Sequence, residues 1–190
     1  MKRLEDIDLS KNNVDKHIFI LKAGTPVYRA IIGSYDPKIP TGQENRFAKN
    51  PYNINPQQFQ ELFVDGQTIT CGTGNACCSF FPETCLKEIA KRHGVDKLQF
   101  AVVHKIIFEK DIPTIDTISL CLSSEVDPTP REDHPFWHSF YGPPIRAQAL
   151  KIKSSVDLDG ENIVFFPDNI PDYLNIVSSE KDKRESIKGE

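Results

Sequence analysis

Three positions in this chain carry side chains able to do chemistry in settings that would hold them still. Arg29 lies inside PVYRAII, Glu88 near the middle of PETCLKEIAKRH, and Ser154-Ser155 just before the turn VDLDG. Val27, Ala30, Ile31 and Ile32 make Arg29 part of an otherwise apolar strand. An isolated guanidinium buried there would cost several kcal/mol, so it needs an anion. That anion is either a structural carboxylate or a ligand phosphate, for which the planar fork of Arg is suited. Glu88 sits at the edge of a helical stripe made by Cys85, Leu86, Ile89 and Ala90, with Lys87, Lys91 and Arg92 turned to water. It is either a solvated helix residue or an acid held at the lip of a pocket.

A fixed carboxylate needs a rigid element beneath it. Ala76–Phe81 reads as a short apolar strand running into a helix that Pro82 opens and Gly94 closes. Ahead of it, His17–Leu21 and Thr25–Ile32 are β-branched, apolar runs separated by Ala23-Gly24. Beyond it, Lys97–Glu109 and Thr114–Leu122 predict two further strands, Ile145–Ser155 a short helix or strand, and Asn162–Phe166 the last strand. Two long loops interrupt this order. Ser34–Pro56 carries Tyr35, Phe47 and Tyr52, and is followed by a helical turn over Gln57–Phe63 and a short strand over Gln67–Cys71. Ser123–Pro144 carries Phe136, Trp137, Phe140 and Tyr141, the aromatics of either a lid over a planar ligand or a loop stapled to the core. Strands, one clear helix and more strands favour an α+β domain over a doubly wound sheet.

Length and charge set the outer bounds. A chain of 190 residues suits one domain, here residues 17–176, preceded by an extension over 1–16 and followed by a charged tail over 177–190. A formal charge of −4 marks neither a nucleic-acid nor a membrane surface, and no apolar run approaches the roughly 18 residues of a spanning helix. With acids at its N-terminus, the chain is expected to be cytoplasmic, with its five cysteines reduced. No metal site is expected: there is no CxxC pair, and His134 and His138 are separated by Pro135, which denies them a shared helical face.

Taken together, the three segments resemble the RES domain family, named for its Arg, Glu and Ser. PVYRA is similar to the family's first apolar strand, Phe81-Pro82-Glu83-Thr84-Cys85-Leu86-Lys87-Glu88 to its middle element, and SSVDLDGENIVFF to its last. The resemblance implies a split mixed β-sheet with few helices around an NAD-binding cleft, like that of ADP-ribosyltransferases. It also implies an NAD⁺-consuming enzyme, the toxin of a bacterial toxin–antitoxin pair, that cleaves the nicotinamide–ribose bond as a glycohydrolase, phosphorylase or ADP-ribosyltransferase. In that reading Arg29 clamps the pyrophosphate, Glu88 acts at the nicotinamide ribose, and Ser155 or Ser154 bonds ribose or carboxamide. Tyr28, Arg46 and Phe80 complete the NAD⁺ contacts. The implied partner is a helical, DNA-binding antitoxin covering the cleft, and a homodimer stays open. Where the family has a Tyr at the start of the strand before the helix, this chain has Cys77.

Two other readings compete. A fold that has lost its chemistry would survive as a binding or interaction domain. Cys71-Gly72-Thr73-Gly74-Asn75-Ala76-Cys77 resembles a segment of diaminopimelate epimerase, in which a thiol moves a proton while backbone N–H groups hold a carboxylate. That family brings a Cys from each of two half-domains, and no second Cys-Gly motif exists here.

Overall fold

The computed structural model describes Ile7, residues 13–32 and 76–129, Phe140 and residues 145–182. Eight strands form one mixed sheet: β1 (Ile18–Leu21), β2 (Val27–Ile32), β3 (Ala76–Ser79), β4 (Ala101–Phe108), β5 (Ile112–Asp116), β6 (Ala149–Lys153), β7 (Glu161–Phe165) and β8 (Val177–Lys181). Their order across the sheet is β1-β5-β6-β7-β3-β2-β4-β8. Among the described residues there are three α-helices: α1 (Pro82–His93), α2 (Thr117–Ser123) and α3 (Tyr173–Ile176). The domain is α+β, as expected. Only β5 and β6 run parallel, and that pair requires the long crossover that leaves β5 through α2.

The two faces of the sheet are covered separately. Along β7, Ile163 and Phe165 enter one core while Val164 and the following Phe166 enter the other. A continuous apolar run is what a strand buried on both faces requires, and NIVFF supplies it. One core gathers Leu120 and Cys121 of α2, Leu150, Ile152 and Val14. On the opposite face Phe108 lies 4.5 Å from Phe165 and 5.9 Å from Tyr173 of α3, between ring centroids.

Between β2 and β3 the sheet is nearly parted. These strands share a single register pair, Tyr28 with Ser79, whereas β2 and β4 share the six pairs from Val27–Ile106 to Ile32–Ala101. Helix α1 lies over this seam: the Cys85 thiol donates to the Tyr28 carbonyl at 3.0 Å, occupying an acceptor at the strand's edge. Pro82 at the helix start and Gly94 at its end, with φ +94°, bound α1 where the sequence places them. Its apolar flank is as expected, with Cys85 and Ile89 buried and Lys87 and Lys91 exposed.

Several boundaries move. The strand expected over Thr114–Leu122 stops at Asp116, whose Oδ1 accepts from Ile118 N at 3.1 Å and Ser119 N at 3.0 Å. That cap starts α2 in spite of its β-branched residues. A 3-10 turn occupies Val95–Phe100, so β4 begins only at Ala101. The segment expected as a tail opens with β8, which pairs with the edge of β4 from Phe108–Val177 to His104–Lys181. Its charged side chains suit an edge strand, where half the surface faces water. At the other end the expected extension is tied down, for Val14 is buried and Ile7 packs on the same core. The loop over Ser34–Pro56, the elements expected over Gln57–Phe63 and Gln67–Cys71, and all of Ser123–Pro144 except residues 123–129 and Phe140 lie outside the described residues. Phe140 is buried in the first core, the position a staple would take.

Replacing Phe165 with Ala removes a fully buried ring that packs against Phe108 in the second core. Urea unfolding is expected to show a loss of about 3–5 kcal/mol.

Candidate functional site

Glu88 emerges from the middle of α1, half-buried, on the flank that faces the sheet. A carboxylate so placed requires donors, and two elements supply them. Ser154 Oγ, just past the end of β6, donates to Glu88 Oε1 at 2.8 Å, and Asn162 Nδ2 on β7 donates to the same oxygen at 3.0 Å. Asn162 Oδ1 in turn accepts from Ser79 Oγ at 2.5 Å. Ser79 and Asn162 are register partners in the β3–β7 ladder, so the sheet's own pairing presents them side by side. Ser79, Ser154 and Asn162 are all buried. Among the described residues Glu88 Oε2 accepts no hydrogen bond, and it is not one of the buried orphan atoms. One oxygen of the carboxylate is pinned and the other is open.

The turn carrying Ser154 is itself fastened. Ser154 Oγ accepts from the backbone N–H groups of Val156 at 3.2 Å and Asp157 at 3.1 Å, while Ser154 N donates to Gly160 O at 3.0 Å. Asp157 then reaches α1, accepting from Thr84 Oγ1 at 2.7 Å and Lys87 Nζ at 2.6 Å. The hydrogen bond from Lys87, with that from Thr84, holds the Asp157 carboxyl below its ordinary value. Gly160 must be glycine for contact: a Cβ there would lie 2.8 Å from Thr84 and from Asp157.

A search of family models and of curated proteins finds no match to this chain.

Of the residues expected to form the site, Glu88 and Ser154 meet directly. Ser155 is half-buried and is not the serine on Glu88. Tyr28 is the register partner of Ser79 and so points to the Glu88 face of the sheet. Arg29, one residue on, alternates to the opposite face with Val27, where its charge lies near the Cys78 thiol. Phe80 packs against that same core. Arg29 is only 7% exposed and is the first residue of β2 beyond the Tyr28–Ser79 bridge. Arg46 lies outside the described residues, as do Cys71, His134 and His138. Burial pushes the Cys85 thiol up to about 11 and raises Cys78 further, so both stay protonated and inert as nucleophiles at neutral pH. Cys77 is a half-buried thiol on β3 packed against the first core. Among the described residues no cluster of His, Cys, Asp and Glu could hold a metal ion.

Asn162 is the residue that reading the chain alone passed over. Its signal was present: a polar amide opening an otherwise apolar strand, NIVFF, has to be paired if buried.

The depressed Asp157 carboxyl has a consequence for stability. Because its folded-state value lies below the ordinary 3.8, its contribution is complete above that pH and is lost as pH falls from there through the folded value. Urea unfolding of the protein and of Asp157→Asn is expected to show a constant gap at neutral and mildly acidic pH that closes below about pH 4. A gap that holds or widens in acid would contradict the clamp.

Proposed function

We propose that the chain binds NAD⁺ and cleaves its nicotinamide–ribose bond, with Glu88 as the catalytic carboxylate. The observation that carries this reading is the asymmetry of Glu88: Ser154 and Asn162 both bond Oε1, and Oε2 is left for a ligand. Loss of nicotinamide develops oxocarbenium character at the ribose, and a preoriented carboxylate stabilises that charge without having to reorganise. The departing nicotinamide is already cationic in NAD⁺, so it leaves as a neutral ring and needs no strong acid. One carboxylate suffices, consistent with a face on which Ser79, Asn162 and Ser154 supply hydrogen bonds and not protons.

Two further features support an ADP-ribosyltransferase-like fold for the domain. The sheet is held between β2 and β3 by one register pair, which is how a split sheet opens a cleft. Arg29 follows Tyr28 on the opposite face of the sheet, and Tyr28 stands on the Glu88 side. In this reading the acceptor is water, phosphate or a protein side chain. The toxin role and a helical antitoxin partner follow from the RES resemblance.

Nicotinamide release from NAD⁺ by the purified protein, with and without phosphate, tests the proposal. Release is expected, and Glu88→Gln should lower it by about 10²–10³-fold, the usual scale for removing a fixed electrostatic partner of the transition state. Ser154→Ala should also slow release, whereas Ser155→Ala should stay within about twofold of the parent. A fully active Glu88→Gln variant would remove the mechanism.

A further inference from the structure

The turn from Ser154 to Gly160 grips α1 twice. Ser154 bonds Glu88, and Asp157 bonds Thr84 and Lys87, one turn and one residue before it. Thr84 and Glu88 are four apart, so they lie on one helix face, and the two grips form a clasp along it. Within the turn, Asp157 N donates to Ser154 Oγ, so the backbone that carries the Asp157 carboxylate also fixes the Ser154 hydroxyl. With two N–H groups directed at its oxygen, that hydroxyl has its own proton left to give, and it gives it to Glu88 Oε1. Thr84 is fully buried and Asp157 only 12% exposed on its side chain, so this end of the clasp is shielded from water. The absent Cβ of Gly160 is what allows the turn to approach Thr84 this closely.

We propose that Asp157 is a positioning residue: by clamping the Ser154–Gly160 turn to Thr84 and Lys87 it aims the Ser154 hydroxyl at Glu88 Oε1 and so leaves Oε2 facing the substrate. This rests on the NAD⁺ reading for its catalytic consequence, while the geometric part stands by itself. The clasp also explains why the Ser154 side of Glu88 need not rely on Asn162 alone. Asn162 is fixed by the sheet, whereas Ser154 sits in a turn and requires a second anchor.

The test uses Asp157→Ala and Asp157→Asn in the full chain, with Thr84→Val as an independent cut at the other end of the clamp. Two readouts are taken. The first is the ¹³C chemical shift of the Glu88 side-chain carboxyl at neutral pH, which reports its donors. Asp157→Ala and Thr84→Val are expected to displace this resonance, and Asp157→Asn, which still offers Thr84 an acceptor, to restore most of it. The second is nicotinamide release from NAD⁺: Asp157→Ala is expected to lower kcat about tenfold with KM for NAD⁺ unchanged, since the clamp orients a reacting group and touches no substrate. An unmoved Glu88 resonance in both Asp157→Ala and Thr84→Val overturns the proposal, as does a moved resonance with a loss confined to KM. If the parent protein releases no nicotinamide, the NAD⁺ reading fails, and the carboxyl resonance alone decides the clamp.

Discussion

A carboxylate set halfway into a protein has to be met by hydrogen-bond donors, and the arrangement around Glu88 shows how much structure that requires. Its two donors flank the turn of the β6–β7 hairpin, Ser154 at the close of one strand and Asn162 near the start of the other. Asn162 is held by Ser79 on β3, and β3 leads directly into α1, which carries Glu88. The chain thus closes a loop of polar contacts through helix, hairpin and strand. Breaking the Ser79–Asn162 or the Asn162–Glu88 contact leaves a buried polar atom of Asn162 without its partner, at a cost of about 1–3 kcal/mol. That penalty is what makes the circuit stiff.

The seam between β2 and β3 is the complementary feature. Hydrogen bonding resumes in full on either side, with four register pairs joining β3 to β7 and six joining β2 to β4. The two halves of the sheet are therefore rigid while their junction rests on one pair, the thiol of Cys85 and the packing of α1. Cys85 serves here as a small apolar residue with a donor. Its thiol, pushed up to about 11 by burial, is a poor nucleophile but a serviceable bond to the Tyr28 carbonyl.

What could be read from the chain alone follows from how local each signal is. Pro82, the stripe of Cys85 and Ile89, and Gly94 lie within one helix, and they placed α1 and the attitude of Glu88 without help from elsewhere. The α+β class followed from the spacing of apolar runs. Asp116 was an equally local cap, but the β-branched Thr117 and Ile118 favoured continuing the strand, and the cap prevailed. Ser154 could not be told from Ser155, since adjacent residues at the end of a strand face opposite ways and only the strand's register decides which turns inward. Asn162 and Ser79 meet across 83 residues of chain, and Val177–Lys181 became a strand only because β4 had an edge to offer. Contacts of that separation are set by the assembled sheet, which no window of sequence contains.

The placement of Arg29 bears most directly on chemistry. Had it shared the Glu88 face, a guanidinium beside the carboxylate could have paired with it and lowered its value as a partner for a developing cation. Strand alternation instead puts the sheet between them, with Arg29 on the face of Val27 and Cys78 and Glu88 on that of Ser79 and Asn162. Two groups of opposite charge are kept within one fold without neutralising each other, so the donors that meet the carboxylate, Ser154 and Asn162, are both neutral.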